Sequence, residues 1–168
     1  MDLDLQQDAA DVYEYVVSRA SAYMPTGDRG PGGDGPVKMV YAGYNFDQSG
    51  WFALIFDRRT HAGHDGEWTL YLDGNMLDRP GWVTARERNE ELPIQVRGED
   101  GQVRELPPGS HFGQLLGRML VGVLQRAERD GMFVRLPRAD GFRLGLEEFN
   151  GSLGWDSQTG YGGQPEWA

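Results

Sequence analysis

Val37-Lys38-Met39-Val40-Tyr41-Ala42-Gly43-Tyr44, then WFALIFD at 51–57 and WTLYL at 68–72, are dense in β-branched and aromatic residues and bounded by turn formers. Runs of that length and composition fit a half-buried pleated surface, so they read as three neighbouring strands. NFDQSG at 45–50 supplies a hairpin loop between the first two. In the second run Phe52, Leu54 and Phe56 share one face, with Trp51, Ala53 and Ile55 on the other. Side chains alternate along a strand, so a run apolar on both faces belongs inside a sheet, covered on each side.

Helices flank this β region. From about Asp4 to Met24, Leu5, Ala9, Val12, Tyr13, Val16, Val17, Ala20 and Tyr23 recur at three- and four-residue spacing and form one apolar stripe. Asp2, Asp4, Asp8 and Asp11 crowd its start, where the helix dipole favours negative charge, and Pro25 ends it. Those acids are also a candidate docking surface, although helix stabilisation already accounts for their position. Ser110 to Arg129 is the second helix. Pro107-Pro108-Gly109 breaks the chain before it, Ser110 is a natural N-cap, and Phe112, Leu115, Leu116, Met119, Leu120, Val123, Leu124 and Ala127 form a broad buried face. Gly113, Gly117 and Gly122 each cost such a helix about 1 kcal/mol against alanine. Close packing on a sheet would justify them.

The remaining segments are shorter. TGDRGPGGDGP at 26–36 reads as an irregular connector. It lacks the Lys and Ser or Thr of a phosphate-binding P-loop and the terminal glutamate of a calcium loop. Pro80 suits the first turn of a short helix within 79–91. Ile94–Arg97 and Gln102–Glu105 flank Gly98-Glu99-Asp100-Gly101, whose Asp-Gly pair suits a tight hairpin. Met132–Leu136 and Phe142–Leu146 read as two closing strands about a turn at 137–141. The expected fold is therefore α+β: an N-terminal helix, an antiparallel meander sheet, and a second long helix packed on one sheet face. Regular strand–helix alternation, the mark of a doubly wound parallel sheet, is missing. Residues 1–150 are expected to form a single domain and 151–168 a Gly- and aromatic-rich C-terminal tail, without internal repeats. Trp155, Tyr161 and Trp167 in that tail either fold back on the body or anchor in a partner.

The chain of 168 residues holds 26 Asp and Glu against 16 Lys and Arg, a formal charge of −10, and has no cysteine. A disulfide framework, a thiolate metal site and a cysteine nucleophile are thereby excluded. Lys38 is the sole lysine and Arg58-Arg59 the densest basic run, so affinity for nucleic acid or anionic lipid is not expected. The start Met1-Asp2-Leu3-Asp4 lacks the basic, then apolar pattern of a signal peptide. No run approaches the ~18 apolar residues of a bilayer span, and a cytoplasmic location is the expectation. The excess of acid either serves solubility or steers a basic protein partner toward the surface.

Two local groupings could carry chemistry. His61, His64 and Asp65 in HAGHDGE offer two imidazoles and a carboxylate for zinc, with Glu67 as a base. The spacing is not HExxH, and a loop between strands does not align the two histidines as a helix would. Glu147 and Glu148 precede Phe149 and the aromatic tail, so acids could rim a buried ring in a partner-binding patch. GxSxG does not occur, and no GxGxxG fingerprint follows the first strand. No cofactor is implied.

A small, acidic, cysteine-free domain of this kind is similar in general character to the bacterial immunity proteins that neutralise basic toxins, a likeness of type carried by no motif. It implies a binding protein for a basic partner, with Asp65, Glu67, Glu147, Glu148, Trp155 and Tyr161 as contact residues. The alternatives are a metal-dependent hydrolase built on the His61–Glu67 loop, or a structural module that self-associates through its tail.

Overall fold

The computed structural model describes residues 1–23, 29–30, 33–34, 36–45, 52–57, 68–72, 79–148 and 154–162. The elements in chain order are β1 (Leu3–Asp4), α1 (Leu5–Tyr23), β2 (Arg29–Gly30), β3 (Gly33–Asp34), β4 (Val37–Tyr44), β5 (Phe52–Asp57), β6 (Trp68–Leu72), α2 (Pro80–Asn89), β7 (Ile94–Arg97), β8 (Val103–Leu106), α3 (Phe112–Arg129), β9 (Arg138–Glu148), β10 (Gly154–Asp156) and β11 (Gly160–Gly162). The fold is α+β. The short β2–β3 pair lies inside the stretch expected to be an irregular connector.

The main sheet runs β11-β10-β9-β4-β5-β6 and a smaller one β1-β7-β8. β5 lies between β4 and β6, as its two apolar faces required. The meander β4–β5–β6 is antiparallel, but β4 and β9 run parallel, as do β1 and β7. The main sheet is thus mixed where a purely antiparallel one was expected. The chain leaves β6, builds α2, the β7–β8 hairpin and α3, and only then returns beside β4, so the crossover is long enough for a parallel pair.

Val40, Ala42 and Tyr44 of β4 join Leu144 and Leu146 of β9 and Trp155 of β10 in one core with Leu115, Leu116, Met119 and Leu120 of α3. On the other face Met39 and Tyr41 are also buried. There a Cβ at Gly145 would collide with the end of Met39, 3.2 Å from Tyr41 Cβ and 3.3 Å from the Trp155 carbonyl oxygen. Residues 154–162 fold back as a hairpin on β9, placing Trp155 opposite Leu146. Met132–Leu136 is a turn where a strand was expected. Its apolar content reflects burial of Phe133 (0% exposed) and Leu136 (4%), and the strand proper begins at Arg138.

The acidic start of α1 is consumed internally. Asp4 accepts the Gln7 amide at 3.2 Å as a helix cap and pairs with Arg97 at 3.0 Å. Asp2 pairs with Arg88 at 2.7 Å and accepts the Gln95 amide at 2.8 Å. Asp8 accepts the indole N–H of the buried Trp82 at 2.8 Å and pairs with Arg79 at 3.2 Å. Burial pushes the Asp8 carboxyl up, opposed by the bonds from Trp82 and Arg79. Trp82 meets Phe112 edge-on, 6.2 Å between centroids, so one indole links α1, α2 and α3.

Candidate functional site

A groove of about 600 Å³ opens between the β7–β8 hairpin and α3. Its floor is apolar: Leu5, Val96, Leu106, Leu115 and Met119. The hairpin turn shapes the rim. Gly101 takes the positive φ (76°) expected of an Asp-Gly turn, and its amide donates to the Gly98 carbonyl at 2.9 Å. Asp100 receives Arg104 through two bonds of 2.9 and 2.5 Å and the Gln102 amide at 3.0 Å. Arg104 holds the Asp100 carboxyl down to about 2.

Glu99 projects differently. Although the residue as a whole is open to solvent, its carboxyl end is turned onto α3 at Gly122, where any Cβ would collide with it. It borders both the groove and a second cavity of about 210 Å³ between α1 and α3, lined in part by Gln6, Ala9, Arg126 and Arg129. Burial pushes the carboxyl up to about 7, against the opposing charge of Arg129 and with a small contribution from Asp100. Gly122 thus faces a side chain of the hairpin, where packing on the sheet was expected. Arg118 reaches the rim from α3 with its guanidinium 5.7 Å from the centre of the Tyr161 ring. Burial raises the Tyr161 hydroxyl, eased by Arg118 and reinforced by Glu99, so hairpin, helix and tail are electrostatically coupled here. An apolar concavity with a few convergent polar groups is the usual form of a binding site.

Of the expected partner-contact residues that are described, Tyr161 alone stands beside this groove. Trp155 (9% exposed) is a core residue and Glu148 (8%) a buried one, so neither forms the exposed patch of acid and ring expected near the tail. Glu148 contributes, after burial itself, to raising the neighbouring Tyr44 hydroxyl, which donates to the Gly113 carbonyl at 3.1 Å and ties β4 to the start of α3. Glu147 is half-buried at the end of β9. Asp65 and Glu67, with the proposed metal ligands His61 and His64, lie outside the described residues. Among the described residues no group of three His, Asp or Glu is placed to hold a metal, and no helix is long and apolar enough to cross a membrane.

No protein-family model, curated protein or solved structure matches this chain. The site therefore has to be read from its own chemistry. Glu99 and Gly122 carried a trace in the sequence: a glycine inside an otherwise strong amphipathic helix marks something packed against its backbone. What touches it follows only from the docking of the hairpin.

Proposed function

We propose that the protein is a non-catalytic binding protein for a basic protein partner, acting in the manner of an immunity-type inhibitor. One observation carries this reading. Seven of the eleven arginines whose side chains are described pair with the chain's own carboxylates, so little cationic surface offsets the acid surplus. Arg79, Arg88, Arg97, Arg104, Arg126, Arg138 and Arg143 each pair internally. Glu87, Glu90 and Glu91 are exposed around the C-terminal end of α2, where the helix dipole disfavours negative charge, so helix stability does not explain them. An unbalanced anionic surface speeds encounter with a cationic partner and rejects anionic ones. On a basic enzyme its carboxylates would occupy the positions of substrate phosphates, and the block would be steric and electrostatic.

The test is affinity capture from the source cells on immobilised protein, eluted by rising NaCl. Retained proteins are expected to be basic and to release with salt. Joint Glu87→Lys, Glu90→Lys and Glu91→Lys substitution should weaken retention and flatten its salt dependence. Retention without basic bias, or indifferent to charge reversal and salt, would contradict the proposal.

A further inference from the structure

The groove between the hairpin and α3 has the chemistry to say what enters it. Its floor is built from five apolar side chains. Both rim cations are engaged: Arg104 is held by Asp100, and Arg118 lies against the Tyr161 ring. Glu105, the other rim acid, accepts the Gln95 side-chain amide at 3.0 Å. Glu99 differs from all of these. Its carboxyl lies partly desolvated at Gly122, with no hydrogen bond or ion pair among the described residues. A desolvated carboxyl without a donor is costly to leave unmatched, and a cationic donor at that point recovers the loss.

We infer that the groove receives a segment of the partner protein carrying one lysine or arginine flanked by apolar side chains, with the cationic head at Glu99 and its neighbours on the apolar floor. This rests on the reading of the protein as a binder of a basic partner and names the contact. The volume agrees, since about 600 Å³ exceeds one basic side chain and suits a short segment. Arginine and lysine also bury their aliphatic stems on apolar surface while the head seeks an anion.

Proton linkage sharpens the test. Facing Glu99 are Arg118, Arg126 and Arg129 of α3, Tyr161 of β11, and Asp100, Arg104 and Glu105 of its own hairpin; from α1 come the uncharged Leu5, Gln6, Ala9 and Ala10. With the carboxyl near 7, its ionised fraction falls about tenfold between pH 8 and pH 6, and affinity for a cation falls with it.

The experiment is an NMR titration of the whole chain with the capped peptide Gly-Leu-Val-Arg-Leu-Val-Gly and with the same peptide carrying citrulline, arginine's uncharged isostere. The arginine peptide is expected to shift the amides of residues 98–101 and 122. It should bind at least tenfold tighter than the citrulline peptide at pH 8 and weaken about tenfold by pH 6. Glu99→Gln should abolish both differences. Gly122→Ala, which keeps every charge but dislodges the Glu99 carboxyl, should weaken binding as well. Equal binding of the two peptides, shifts confined to another surface, or unchanged affinity in Glu99→Gln would overturn the inference. If basic proteins are still captured with salt dependence while any of these holds, the groove assignment fails and the broader reading stands; if no basic protein is captured, the broader reading fails.

Discussion

Glu99 and Gly122 form a pair in which each residue explains the other: the glycine leaves a niche in α3, and the carboxyl fills it. A free glutamate titrates near 4.5, and burial moves Glu99 to about 7. Between those values the folded state holds more protons than the unfolded one. This contribution to stability is therefore full below the unfolded value and is lost as pH rises toward 7. Glu99→Gln is expected to remove that slope. At pH 8 it should gain about 1 kcal/mol, well below the full shift because the residue is open to solvent. Urea midpoints at pH 5 and pH 8 check this, and parallel behaviour of the two proteins would contradict it. Gly122→Ala adds about 1 kcal/mol of helix propensity but expels the carboxyl. Its expected signature is a gain in stability at pH 8 that shrinks toward pH 5, with Glu99 titrating back toward the ordinary carboxylate range by carbon-detected NMR.

At the scale of elements, two side chains hold the helices in register. Asp8 receives the buried Trp82 indole, and removing it strands that N–H; Asp8→Ala should cost about 1–3 kcal/mol in denaturant unfolding, whereas Asp8→Asn keeps an acceptor and should cost less. Asn89, 1% exposed, donates to the Leu92 and Pro107 carbonyls and accepts the Ser110 amide, closing the end of α2 onto the turn before α3. Asn89→Leu should therefore destabilise by about 2 kcal/mol or more, read the same way. This is also why Ser110 does not cap α3 as expected: its hydroxyl turns back to the Pro107 carbonyl, and His111 stands at the cap position. Elements with a strong period were legible. The pattern of apolar residues located β4 at both its ends, Val37 and Tyr44, and α3 within two residues, because burial imposes that pattern locally. The parallel match of β4 with β9 was not legible, since pairing across a long crossover leaves no local trace. The polar opening of β9, Arg138-Ala139-Asp140, likewise hid a strand start in what looked like a turn.

For the molecule as a whole, the charge of −10 was plain from composition, but its distribution was not. The acids at the start of α1 bind Arg79, Arg88 and Arg97, far along the chain, and Glu148 and Trp155 are drawn inside. The candidate site instead gathers residues from β1–α1, the hairpin, α3 and β11, none adjacent enough in sequence to be grouped by spacing. Its central element is a carboxyl held ready for a cation, and that state is directly observable. Carbon-detected NMR of the Glu99 side-chain carboxyl, titrated with and without the arginine peptide, is the decisive measurement. A midpoint near 7 in the free protein, falling when the peptide is added, is the expected result. An ordinary carboxylate midpoint that the peptide leaves unmoved would contradict it.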